Sequence, residues 1–206
     1  MVRGGNNVAL RGSRCRVAAC HIGQQRYHWG AVTTLSKTLD VLNEMQHEGV
    51  IGEYAIGGAI AAFYYLEPAA TFDVDIFIPR EPKAGELLSL APIYEYLQAR
   101  GYHEKGETVA IADWEVQFIP AYNPLVREAL AAAKTVDLEG TGTRVLPAEH
   151  LMAIALQTGR NKDFARLVQF LEAGVADQAR FNEILQRHDL EEKWRTFQNK
   201  FGPERP

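Results

Sequence analysis

The stretch Tyr54–Ile78, YAIGGAIAAFYYLEPAATFDVDIFI, decides the fold. It reads as a short strand (Tyr54–Ile56), a Gly57-Gly58 turn, a small-residue helix, a linker and a second strand carrying Asp73-Val74-Asp75. Side chains two apart in a strand share a face. Asp73 and Asp75 therefore stand together, while Val74, Ile76 and Ile78 turn into apolar packing. Two adjacent carboxylates repel, and a cation between them relieves the repulsion. An oxygen-only pair suits Mg²⁺, which takes one or two carboxylates together with substrate phosphates. Gly57-Gly58 ends a strand and opens a helix, so backbone N–H groups and a positive helix end face an arriving anion. A phosphate cradle beside a metal pair points to phosphoryl or nucleotidyl transfer.

Gly-Gly at a strand end, a short helix and then Thr71-Phe72-Asp73-Val74-Asp75 opening a strand resembles the DNA polymerase β-like nucleotidyltransferase superfamily. Within it the stretch is most similar to the minimal nucleotidyltransferases and to the toxin components of abortive-infection toxin–antitoxin pairs. The resemblance spans roughly Ile51–Leu171. It implies an α+β core, a small mixed sheet with helices, in which two aspartates bind two Mg²⁺ ions holding a nucleoside triphosphate. Such ions, ~3.5–4 Å apart, clamp the attacking and leaving oxygens. The resemblance further implies a third carboxylate on a neighbouring strand that completes the metal site and helps deprotonate the acceptor hydroxyl. Asp73 and Asp75 map onto the first two, and Gly57, Gly58 and Thr71 fall in the nucleotide-binding part of the motif.

At the third position the chain departs from the pattern. The centre of Trp114-Glu-Val-Gln-Phe-Ile119 offers Gln117, which can lend a carbonyl oxygen but cannot take a proton. Glu115 lies two residues earlier on the same face, and Asp113 two earlier again; a one-step shift would let Glu115 serve. The expected catalytic and metal set is thus Asp73, Asp75 and Glu115, with Gln117 as the other occupant of the third place. If neither serves, the fold would act as a nucleotide- or partner-binding module, for example in a toxin–antitoxin system.

Leu35, Leu39, Leu42 and Met45 recur at helical spacing and predict a helix over Ala31–Glu48, ended by Gly49. A second helix is expected over Glu86–Arg100, kinked or restarted at Pro92 and stopped by Gly101. Strands follow at Val109–Ile111 and Trp114–Ile119, then an alanine-rich helix at Pro124–Lys134 and a turn into a short strand over Gly140–Leu146. From Pro147 the strand signals stop, and four helical patterns follow. The expected division is a basic leader (1–30), an α/β core (31–146) and a helical part (147–206). The stretch Pro147-Ala-Glu-His150…Gly159-Arg160-Asn-Lys162-Asp163 is similar to a helix–turn–helix piece of the same nucleotidyltransferases. Arg160 and Lys162 at a helix start can reach a triphosphate or RNA phosphate, with Asp163 capping or pairing. His150 reads as an acid/base candidate or as a structural hydrogen-bonding histidine.

The chain has 206 residues, 47% of them hydrophobic, enough for one domain with a helical appendage. No apolar run approaches the ~18 residues of a membrane span. Cys15 and Cys20 are too few for a disulfide framework, which favours a reducing, cytoplasmic setting. The spacing Cys15-Cys20-His21-His28 matches no common zinc site. Walker A, Gly-x-Gly-x-x-Gly and Gly-x-Ser-x-Gly sequences are all absent, which argues against P-loop, Rossmann and α/β-hydrolase proteins. The first 39 residues carry six basic side chains and no acid, which against a net charge of −4 leaves −10 on the remainder. The basic start resembles a transit peptide or an arm for nucleic acid, or is a poorly ordered leader. The expected partners are a nucleoside triphosphate and an acceptor that could be tRNA, a protein or a small molecule, with a protein partner also in view and no membrane.

Overall fold

The computed structural model describes residues 33–67, 71, 73–79 and 89–201. The basic leader with its cysteines and histidines, the start of the first helix at Ala31 and the start of the Glu86 helix lie outside them. Among the described residues seven strands form one sheet in the order β3-β4-β5-β2-β1-β7-β6. Its centre is β2 (Asp73–Ile78), parallel to β5 (Trp114–Pro120) on one side and antiparallel to β1 (Ala55–Ile56) on the other. Beyond β1, β7 (Thr141–Val145) runs parallel to it. The rest are antiparallel hairpins, β3 (Glu104–Lys105) with β4 (Thr108–Ile111), β4 with β5, and β6 (Lys134–Leu138) with β7. A mixed sheet of this kind, followed by helices, is the α+β architecture that the sequence implies.

The alternation in β2 works as its residues require. Val74 and Ile76 are fully buried, while Asp73, on the other face, is exposed. In β5, Val116 and Phe118 do the same for their strand. Against this apolar face lies α1 (Thr33–His47), whose Leu39, Leu42 and Met45 are completely buried. Each such side chain contributes about 1.5–3 kcal/mol by leaving water. Thr38 Oγ1 donates to Ile111 O (2.9 Å), and Tyr54 Oη donates to Asn43 Oδ1 (2.8 Å), so two polar ties fix the helix on the sheet.

In α3 (Ala91–Ala99) Pro92 stands in the first turn, where its missing N–H is harmless, which is the restart of the two alternatives at that proline. Two other details differ from expectation. Helix α4 (Pro124–Ala131), capped by Asn123 Oδ1 on Val126 N (2.8 Å), stops short of Lys134, which starts β6. The two-residue strand β3 was not anticipated either. Both β3 and β6 are edge strands; β3 has only exposed side chains, whereas β6 packs Val136 and Leu138 partly against the core.

From Ala148 onward the described residues are helical: α5 (Ala148–Thr158), α6 (Asn161–Ala173), α7 (Gln178–Arg187) and α8 (Glu191–Phe201). Helix α5 is buried on nearly every side, because α2 (Gly58–Phe63) and α4 cover it from the sheet and α6, α7 and α8 from outside. Gly159, with φ +71°, ends α5 in the left-handed conformation that turns the chain into α6.

Candidate active site

The site begins with β2. Gly57 N–H donates to Asp75 O (2.8 Å), so the Gly-Gly turn is stitched to the strand that carries the aspartates. A Cβ on Gly57 would enter the ring of Phe77, and one on Gly58 would enter the Asp75 carboxylate. Gly58 also has φ +56°, which a side chain tolerates poorly. The two glycines are thus needed for close packing against Phe77 and Asp75. The two differ in where they face. The amide of Gly57 is already taken by Asp75, whereas Gly58 faces the cavity described next.

Asp73, Asp75, Gly58 and Thr71 line a cavity of about 780 Å³. This falls within the usual range for small-molecule sites, roughly 300–1,000 Å³. Thr71 Oγ1 accepts a bond from Asp73 N (3.3 Å) and sets the start of the strand. Across the cavity stand Arg160 and Lys162 from the start of α6, and with them Arg166 one turn further on. Burial raises the carboxyl of Asp75 above its ordinary range, opposed by the charges of Arg166, Lys162 and Arg160, while Asp73 reinforces the rise. A half-buried acid facing three cations is an environment that rewards a bound cation and a bound polyanion together. Arg160 is partly committed: its Nε and Nη2 donate to Asp163 (2.7 and 3.2 Å), and Asp163 Oδ2 accepts from Arg160 N (3.3 Å). Asp163 itself is only 3% exposed, so the pair fixes the corner between α5 and α6.

The register between β2 and β5 places Glu115 level with Asp73 and Gln117 level with Asp75. Glu115 does not line the cavity; its carboxylate is paired with Lys105 on β3. Gln117 does line it, and its Nε2 donates to Glu107 Oε2 (3.4 Å) from the turn between β3 and β4. The structure thus brings together Asp73, Asp75, Gly58, Thr71, Arg160 and Lys162, and leaves Glu115 and Gly57 out of the cavity wall. His150 lies elsewhere, 1% exposed, with its Nε2 3.3 Å from Glu128 Oε1. Burial holds its pKa below the ordinary value, so it is a neutral structural histidine.

Among the lining residues not anticipated are Arg166, Glu107 and Tyr122. Arg166 follows Lys162 at i+4, a helical spacing that could have flagged it. Glu107 sits on a hairpin whose first strand has no apolar signature. Tyr122, 52% exposed just after β5, stands at the cavity lip. Among the described residues no three His, Cys, Asp or Glu side chains converge as a ready-made metal cage. Two aspartates opposite a cationic wall do fit Mg²⁺ that arrives with substrate phosphates, since such ions need only one or two protein carboxylates.

No protein-family model matches the chain, and neither does any curated protein. Solved structures do. An antigenic nucleotidyltransferase-like protein from Paracoccidioides brasiliensis superposes with a TM-score of 0.60 at 15% identity, over 82% of this chain and 88% of its own. Two structures of the antibiotic-resistance factor ANT(2'')-Ia are also similar. Its solution structure gives a TM-score of 0.49 at 14% identity over 81% of this chain and 96% of that one. Its crystal structure in complex with adenylyl-2''-tobramycin gives 0.44 at 12% identity over 80% and 98%. The first of these likenesses shows that the chain has the fold of a nucleotidyltransferase-like protein.

Proposed function

We propose that this chain is a Mg²⁺-dependent nucleotidyltransferase that moves a nucleoside monophosphate from an NTP to an acceptor hydroxyl or phosphate and releases pyrophosphate. One observation carries the reading: Asp73 and Asp75 face Arg160, Lys162 and Arg166 across a single cavity. A triphosphate with its cation presents both signs of charge, and the two walls match them. Asp73 and Asp75 would hold the metal, two ions in the full complex. Mg²⁺ bound there supplies charge neutralisation at the transferring phosphorus and at the leaving pyrophosphate. Lys162 and Arg166 bind the phosphate oxygens, while Arg160, braced by Asp163, keeps the start of α6 in place. Catalysis is then chiefly positioning and electrostatic stabilisation.

The acceptor group belongs to tRNA, a protein or a small molecule. The toxin-like branch rests on the sequence resemblance; growth arrest on expression, relieved by Asp73→Asn/Asp75→Asn, would support it. The direct test is calorimetric titration of each NTP with Mg²⁺ into wild-type protein and into that double variant. Micromolar binding that the variant loses supports the reading, and no binding to the wild type sinks it.

A further inference from the structure

The proposed transfer needs an acceptor for the hydroxyl proton, and the strand position where the resemblance places a carboxylate holds Gln117 instead. Gln117 stands level with Asp75 and donates its amide to Glu107 (3.4 Å), a residue of the neighbouring hairpin that lines the same cavity. We infer that Glu107 is the catalytic base of this site, with Gln117 as the residue that positions it. The inference rests on the nucleotidyltransferase reading above.

The other carboxylates of the cavity are engaged or placed differently. Asp73 and Asp75 are the proposed metal ligands, and Asp163 is bound by Arg160. Glu115 is tied to Lys105 outside the cavity. Glu67 lines the cavity from the segment after α2, whereas Glu107 is anchored to β5 beside Asp75. A carboxylate that accepts one bond from an amide keeps its remaining lone pairs for a proton. In the step, the acceptor O–H bond breaks and its proton passes to the Glu107 carboxylate. The oxygen forms a bond to the α-phosphorus, the bond from that phosphorus to the bridging oxygen breaks, and pyrophosphate leaves with the electron pair. Thr108, next in the chain and also in the cavity wall, has its hydroxyl turned to Lys105 O (3.1 Å), which holds the hairpin turn closed beneath Glu107.

Removal of a general base lowers the rate by about 10²–10⁴-fold. The experiment uses the full chain, each of the four NTPs with Mg²⁺, and water as the acceptor. Calorimetry reads nucleotide binding, and coupled detection reads pyrophosphate release. Glu107→Gln is expected to bind Mg·NTP within about threefold of wild type and to release pyrophosphate at least ~100-fold more slowly. Gln117→Ala should lower turnover with KM little changed, and the double exchange Glu107→Gln/Gln117→Glu, which returns a carboxylate to the pair, should recover part of it. The assignment is overturned if Glu107→Gln releases pyrophosphate within threefold of wild type, if it loses nucleotide binding, or if Glu67→Gln shows the large loss instead. Wild-type protein that binds Mg·NTP and releases nothing also overturns it, because water can reach an open cavity. Failure of the underlying reading looks different: wild type then binds no NTP, or Asp73→Asn/Asp75→Asn binds it unchanged.

Discussion

Gly58 lies so close to Asp75 that any Cβ on it would occupy the position of the carboxylate. With φ +56° it is also in the left-handed region. Gly58→Ala should therefore move Asp75 and strain the turn together. The expected outcome is a stability loss of about 1–3 kcal/mol, read by chemical denaturation, and loss of Mg-dependent NTP binding, read by calorimetry.

Asp75 is predicted to be a residue that serves binding at the expense of the unliganded fold. Burial raises its carboxyl pKa. A group whose folded pKa lies above its unfolded value favours the folded state at low pH and loses that contribution as pH rises through the folded pKa. At neutral pH, above the unfolded value, burial of Asp75 thus opposes folding. Without ligand, Asp75→Asn should melt at or above the wild-type temperature, yet show no thermal shift with Mg·NTP; a clear drop in the apo melting temperature would contradict this.

Arg166 and Arg160 should separate in their effects. Arg166→Ala is expected to weaken Mg·NTP by roughly 10–100-fold, the loss of one charge-assisted bond of about 1.5–3 kcal/mol, with little change in stability. Arg160→Ala should also cost about 1 kcal/mol of stability, since its side chain and Asp163 close the start of α6. Paired calorimetry and denaturation on both variants would show the contrast.

Away from the cavity, Glu128 on α4 gathers three partners: Arg187 Nη2 (2.7 Å), His188 Nε2 (2.7 Å) and His150 Nε2 (3.3 Å). The Arg187 guanidinium above all, with help from His188 and His150 and against some desolvation, lowers its pKa to about 2. Its contribution is present above the ordinary carboxyl range, near 4.3, and is lost as pH falls towards 2. His150 works in the same direction. Its burial lowers the folded pKa, so the unfolded chain takes the proton first, from about pH 6.5 downward. Stability should hold through neutrality and decline steadily below about pH 6.5. Glu128→Ala, which strips buried His150 of its partner, should cost ~2–3 kcal/mol, seen as a melting temperature lower by ~5–10 °C.

What could be read from the residues beforehand follows from how each signal is generated. Asp73 and Asp75 flank buried Val74, and period-two alternation is local, so the strand and the shared face of the acids were both legible. The Gly57-Gly58 turn was legible as a turn, but its cause is the Phe77 ring and the Asp75 carboxylate, which only the folded chain brings near. Glu115 and Gln117 were placed on the correct face; which of them meets the cavity depends on Lys105 and Glu107, and these arrive through a hairpin whose strand β3 has only exposed residues. A two-residue strand without apolar side chains leaves no periodic trace, whereas Val136 and Leu138 alternate with exposed Thr135 and Asp137 in β6 and could have flagged it. The helices after Pro147 announced themselves because α5 is covered from several sides and carries a dense apolar sequence.

The opposed walls of the cavity belong to different layers, the acids to β2 in the sheet and the cations to α6 in the helical part. Such a separation of sign makes the mouth of the cleft a fixed dipole, whose field extends into solvent by about one Debye length, ~8 Å at physiological salt. A ligand with a polyphosphate at one end and a neutral ring at the other is turned by that field during approach, so its orientation is selected before the first contact. Added salt should then slow capture of the nucleotide far more than it hastens escape.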